Sequence, residues 1–235
     1  MMRWAGLVVA AGEGRRFGGF KQLVEIAGRP MLAWSLEALA SVAAFSIVAV
    51  VTAREAFEDV ERVARPILGE RLQPIVGGGS TRQESVRNGL RALAGRCDAL
   101  AIHDGARPCV RVEEIEAGMR EVAPGRAALL ASRVVDTLKE TEAGSLLVRA
   151  TVARENLWGA QTPQFATYAD LLAAHERAVV EGISATDDIG LLEAIGVRCT
   201  IVPSTAENLK VTQQSDRELA AAIFRARALR IGGAR

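Results

Sequence analysis

The sequence predicts an α/β protein: a mostly parallel sheet flanked by helices, with a β-hairpin arm projecting from it. Three observations carry this expectation. Short apolar runs alternate with segments of helical period, as a parallel sheet requires, because its strands must be joined by crossovers. The first apolar run breaks at once into a glycine-bearing loop with cations behind it. The rhythm then fails once, at about 134–152, where two short runs flank a loop containing Gly144, the pattern of a hairpin. The 235 residues are read as one domain carrying that arm.

Taken in order, Trp4 to Ala10 is a buried strand. The loop Ala11-Gly12-Glu13-Gly14 follows, and Arg15, Arg16 and Lys21 stand just behind it. Backbone N–H groups with fixed positive charge make a seat for phosphates. The G-x-G spacing raises a dinucleotide fold, but the third position of that fingerprint is Phe17, and no acidic residue ends the next strand. A Walker A loop is excluded, since no G-K-S or G-K-T follows. The three cations suit a triphosphate. Pro30 opens a helix over 30–42, with Met31, Leu32, Leu36 and Leu39 on one stripe. Ser46 to Val51 is a second strand, 56–65 a helix ended by Pro66, and Leu72 to Val76 a third strand broken by Gly77-Gly78-Gly79. Ser80 or Thr81 caps the next helix, with Gln83 or Glu84 reaching back.

Asp98 to His103 is a fourth strand. Asp104, at its carboxyl end, reads either as a turn residue before Gly105 or as a Mg²⁺ ligand, since Mg²⁺ takes one or two carboxylates plus substrate phosphates. His103 reads as strand-end packing or as a catalytic group, and His175 as a surface residue of a helix. A helix over 112–123 and a strand from Ala127 to Ser132 lead into the arm, whose Val134, Leu138, Leu146 and Val148 call for cover by a partner subunit. Trp158 to Phe165 reads as a rigid polar loop, 167–181 as a helix, and Thr186-Asp187-Asp188 as the cap of another. Val197 to Val202 is a late strand, Lys210 a cation near a strand end, 215–229 the last helix, and the tail from Ile231 frays.

Hydrophobic content of 49% supports a sizeable core, and the net charge of +1 gives no global attraction to nucleic acid or membrane. Cys97, Cys109 and Cys199 lack C-x-x-C spacing and read as buried thiols in a reducing compartment. The first strand leaves no room for a signal peptide, so a cytoplasmic location is expected. Two ill-placed histidines give no support to histidine-assisted nucleophilic catalysis.

Several motifs occur in a fixed order: A-A-G-x-G-x-R with K-Q, G-G-x-x-R-x-x-S-V, H-D-x-A-R-P, V-x-D-T-x-K, T-x-x-R-x-x-L-W, T-P-Q-x-F, a T-D pair and N-x-K-V-T. Spanning nearly the whole chain, the set closely resembles the 2-C-methyl-D-erythritol 4-phosphate cytidylyltransferase family. The resemblance implies a Rossmann-like nucleotidyltransferase, homodimeric and Mg²⁺-dependent, that joins methylerythritol phosphate to CTP. It implies Arg16, Lys21 and Lys210 as the cations on the triphosphate. It places Ala10, Ala11, Gly12, Gly14, Gly79, Ser85 and Asp104 around the nucleotide, with Asp104 also at the metal. Arg107, Thr137, Arg154, Thr162 and Thr186 fall on the sugar phosphate. The chain departs from the family pattern with Phe20 where Pro is frequent, Ser80 where an acid is, Ala153 in place of Asp and Gly105 in place of Ala. A cytidylyltransferase for another polyol phosphate, such as ribitol 5-phosphate, and a nucleotide-binding regulator without turnover are the alternatives.

Overall fold

The computed structural model describes residues 2–12 and 19–232. In chain order the elements are β1 (Trp4–Val9), β2 (Glu25–Ile26), β3 (Arg29–Pro30), α1 (Met31–Ala40), β4 (Phe45–Thr52), α2 (Phe57–Leu68), β5 (Val76–Gly77), α3 (Arg82–Ala92), β6 (Ala99–Asp104), α4 (Val112–Arg120), β7 (Arg126–Arg133), β8 (Leu138–Thr141), β9 (Val148–Val152), β10 (Trp158–Thr167), α5 (Tyr168–Glu181), α6 (Asp188–Ala194), β11 (Arg198–Pro203) and α7 (Gln214–Gly232). The main sheet has seven strands in the order β11-β7-β10-β6-β1-β4-β5. This is the expected α/β architecture, with a mostly parallel central sheet and helices on both faces.

Successive side chains of a strand point to opposite faces, and β1 shows the result. Leu7 packs under α3, with Leu90 and Val51, while Val8 packs with Leu36 and Val50 on the side of α1. Both are fully buried, which is worth about 1.5–3 kcal/mol for each aliphatic side chain. Strands buried on both faces read as continuous apolar runs, which is why β1, β4 and β6 are visible in the sequence. These three are parallel and in register, with Val9 opposite both Val51 and Asp104. The loops that leave their carboxyl ends therefore converge, at the place where open α/β sheets bind ligands.

Four expectations are corrected. Trp158 to Phe165 is not a loop but most of β10, a central strand antiparallel to both β6 and β7. Pro163 disguises it, since proline is a poor central-strand residue. The register shifts between Ala160 and Gln164, which leaves Pro163 within the irregularity, where no ladder N–H is required. Pro66 does not end α2, which continues to Leu68. It lies in the last turn, so only the carbonyl one turn before it loses a donor. The strand expected at Leu72 to Val76 shrinks to Val76–Gly77 plus a single bridge from Leu72 to Val48, because Pro74 cannot continue the ladder. His175 is buried rather than on the surface.

The arm is present. β8 and β9 pair antiparallel beyond the ends of β7 and β10. At its root Arg133 and Trp158 are register partners, and the guanidinium lies 4.6 Å from the indole centroid, a cation–π contact. Val135, Leu146, Leu147 and Val148 are more than half exposed, while Val134 and Leu138 are partly covered.

Candidate active site

The Ala10 N–H donates to the Val51 carbonyl at 2.7 Å, and the Gly78 N–H to the Thr52 carbonyl at 2.8 Å. These bonds lash together the loops after β1, β4 and β5. Gln22, buried, donates to the Ala10 carbonyl and lies 3.4 Å from Thr52 Oγ1. Its neighbour Lys21 lines the opening beside these loops. Across from it, Thr81 caps α3, its Oγ1 accepting from the Glu84 N–H at 3.0 Å, and Glu84 reaches back not to Thr81 but one residue further, accepting from the Ser80 N–H and hydroxyl at 2.8 Å. Ser85 Oγ accepts from the Gly79 N–H at 3.0 Å and donates to the Thr81 carbonyl. A Cβ on Gly79 would collide with the Glu84 side chain, and one on Gly78 with Ala11, so the glycines here are required by close approach.

These loops enclose a cavity of about 590 Å³ lined by Ala10, Ala11, Gly12, Lys21, Gln22, Gly79, Ser85, Arg82, Asp104 and Lys210, among others. A second cavity of about 190 Å³ is lined by Arg107, Ala160, Gln161, Thr162, Thr186 and Asp187, together with the same Arg82, Asp104 and Lys210. The shared wall is an ionic cluster. Lys210 Nζ lies 2.7 Å from Asp104 Oδ2, and Arg82 Nε 3.1 Å from Asp104 Oδ1. Burial works to raise the Asp104 carboxyl, but the two cations outweigh it and hold it well below the usual carboxylate range.

Each member of the cluster is fixed from behind. Asp104 ends β6, and its N–H donates to Thr162 Oγ1 at 2.9 Å. His103 Nε2 lies 3.1 Å from the Arg107 carbonyl, which can only accept, so Nε2 carries the proton. Nδ1 then accepts from the Thr162 hydroxyl at 3.1 Å. Burial lowers the His103 pKa to about 4. His103 is thus a neutral packing residue with no face in either cavity, and the Thr162 hydroxyl is engaged within the protein. Lys210 sits between two anchors: Asn208 Nδ2 donates to Gln161 and to the Thr162 carbonyl, both at 3.0 Å, and the Val211 N–H donates to the Ala106 carbonyl at 2.9 Å. Arg107 Nη1 donates to the Asn208 carbonyl at 2.7 Å while its buried Nε has no partner.

A single carboxylate beside space for phosphate oxygens suits Mg²⁺, and Asp104 meets that description. No group of three or more His, Cys, Asp or Glu side chains able to hold a metal occurs among the described residues.

The model of the family described as IspD, 2-C-methyl-D-erythritol 4-phosphate cytidylyltransferase, matches residues 5–226. The chain belongs to this family. A protein of that name from Pelotomaculum thermopropionicum is 39% identical, covering 100% of this chain and 99% of its own. One from Shouchella clausii is 37% identical, covering 96% and 98%. The crystal structure of the protein of that name from Thermus thermophilus is 29% identical and superposes with a TM-score of 0.76 over 93% of this chain and 98% of that one.

Of the residues that the cytidylyltransferase resemblance singles out, Ala10, Ala11, Gly12, Lys21, Gly79, Ser85, Asp104 and Lys210 line the larger cavity, and Arg107, Thr162 and Thr186 the smaller. Gly14 and Arg16 lie outside the described residues. Thr137 and Arg154 line neither cavity: both are exposed on the arm, where Arg154 donates to the Val135 carbonyl. Arg82 was legible only as a letter in the G-G-x-x-R-x-x-S-V motif. Its partners, Asp104 and Asp188, are 22 and 106 residues away, so no local signal announces its role.

Proposed function

We propose that the larger cavity receives CTP and the smaller one the phosphate of 2-C-methyl-D-erythritol 4-phosphate. The chain, as a family member, is the cytidylyltransferase that joins the two, giving 4-diphosphocytidyl-2-C-methyl-D-erythritol and pyrophosphate in non-mevalonate isoprenoid biosynthesis. The observation that carries the site assignment is the Lys210–Asp104–Arg82 wall common to both cavities.

An oxygen of the acceptor phosphate attacks the α-phosphorus of CTP. The new P–O bond forms as the bond to the β-phosphate bridging oxygen breaks, and pyrophosphate carries away the electron pair. A phosphomonoester is already ionised near neutral pH, its second pKa being about 6, so no general base is needed. Bringing two polyanions together is the main barrier, and it is met by charge and positioning. Lys21 and Lys210 line the nucleotide cavity and Arg107 the acceptor cavity, with Arg16 assigned to the triphosphate on motif position alone. Asp104 would hold Mg²⁺, which supplies charge neutralisation on phosphate oxygens when bound.

We further infer a homodimer. The arm's exposed Val135, Leu146, Leu147 and Val148 need cover, and Thr137 and Arg154 would then reach the acceptor cavity of the partner. A cytoplasmic location fits three cysteines without disulfides, and no described helix is long and apolar enough to cross a membrane.

Pyrophosphate release tests the assignment. With Mg²⁺ and CTP, methylerythritol phosphate should turn over much faster than ribitol 5-phosphate, and CTP faster than ATP or GTP. Equal or better turnover of ribitol 5-phosphate would replace the acceptor.

A further inference from the structure

Asp188 opens α6 and lines neither cavity, yet one guanidinium ties it to the site. Arg82 donates from Nη1 to Asp188 Oδ2 at 2.8 Å and from Nε to Asp104 Oδ1 at 3.1 Å. On the far side His175 Nε2 stands 3.2 Å from Asp188 Oδ1, and the Asp188 N–H donates to Gln164 Oε1 at 2.9 Å. Asp188 and His175 are both 1% exposed. A carboxylate so deeply buried is costly unless paired, and here Arg82 and His175 flank it.

We propose that Asp188, acting through Arg82, is a positioning residue for Asp104. The inference rests on the reading of Asp104 as part of the active site. Guanidinium is a rigid planar fork, so holding Nη1 on Asp188 decides where Nε points. Nε in turn takes one oxygen of Asp104 and leaves the other facing Lys210. With the Asp188 charge removed, Arg82 has one carboxylate instead of two and swings toward any polyanion in the adjoining cavity, and the orientation of Asp104 is lost. A buried ion pair that only stabilised the fold would have no such effect on turnover.

The test is steady-state kinetics of Asp188→Asn, which keeps the shape and removes the charge, beside Ile115→Val, a core change remote from both cavities. Loss of an outer partner of a functional carboxylate lowers activity by on the order of 10-fold or more. That loss should fall on kcat, with KM for CTP changed far less, and Ile115→Val should lower Tm without lowering kcat. Arg82→Lys keeps the charge but lacks the fixed fork that sets Nε by Nη1, so it should lose kcat likewise, and in the double variant the two losses should not multiply. Wild-type kcat in a folded Asp188→Asn protein, whatever its Tm, overturns the proposal. Should Asp188→Asn not fold, wild-type kcat in Arg82→Lys overturns it instead. A wild-type protein that releases no pyrophosphate from CTP and methylerythritol phosphate refutes the functional reading itself, and this inference falls with it. An active wild type with unaffected variants refutes only the inference.

Discussion

Lys210 Nζ stands 2.7 Å from Asp104 Oδ2, although 106 residues separate them and the lysine follows no strand directly. The buried amides of Asn208 and Gln161 on one side and Val211 on the other bring it there. The lysine is therefore held by a carboxylate on the wall that the two cavities share.

Lys210→Ala should lower kcat by about 10²–10³, the scale on which removal of one donor aimed at developing charge is felt. The side chain is 42% exposed, so the fold should be preserved. Near-normal pyrophosphate release from a folded variant would show that the lysine only neutralises Asp104.

If arms are exchanged about a two-fold axis, each site takes Lys21 from one chain and Arg154 from the other. Mixed dimers of Lys21→Ala and Arg154→Ala then hold one intact site. Random re-pairing makes half the dimers mixed, so activity should return to about a quarter of wild type. Differently tagged chains must first be shown to exchange. Confirmed exchange without recovery would assign Arg154 to its own subunit or to no site.

Asp188 gives a pH signature of stability. Burial favours its neutral form, but Arg82 and His175 prevail and hold the carboxyl below its ordinary value. The unfolded chain, with a carboxyl near its ordinary pKa of about 3.9, takes up the proton first as pH falls. The stabilisation is present above that value and is lost as pH drops through it toward the folded pKa. Denaturant unfolding from about pH 5 down to about pH 3 should show a steeper loss in wild type than in Asp188→Asn. Parallel slopes would mean that the pair contributes no such linkage.

Gly118→Ala should destabilise the protein. Alanine gains about 1 kcal/mol over glycine inside a helix, but here a Cβ would run into the buried Phe165 ring. Overpacking of this kind costs about 1–3 kcal/mol, so the net effect is a loss, read as a lower denaturant midpoint at unchanged kcat. A raised midpoint would show that the ring yields freely.

The sheet was legible where strands are buried on both faces, because β1, β4, β6 and β7 have no polar alternation to interrupt them. β10 was not, since Trp158-Gly159-Ala160-Gln161-Thr162-Pro163 reads as polar punctuation and its status as a strand comes from neighbours on both sides. The loops that line the larger cavity were legible through Gly12, Gly79 and Lys21. The ionic wall was not: Arg82, Asp188 and His175 meet only once the chain has closed, and the same letters in other folds make surface ion pairs. His175 was misplaced for that reason, its helix giving no hint of the carboxylate it faces.

Arg133 and Trp158 face one another at the root of the arm, so the chain leaves and re-enters the sheet at one point. An excursion whose two ends meet places no demand on the strands it interrupts. It can be lengthened, shortened or exchanged with that of a relative while the β7–β10 ladder keeps its register. The sheet and the arm are in this sense separately heritable: drift in the hairpin leaves the loops at β1, β4 and β6 untouched. If the proposed homodimer pairs through its arms, a grafted arm should transfer pairing preference as a module.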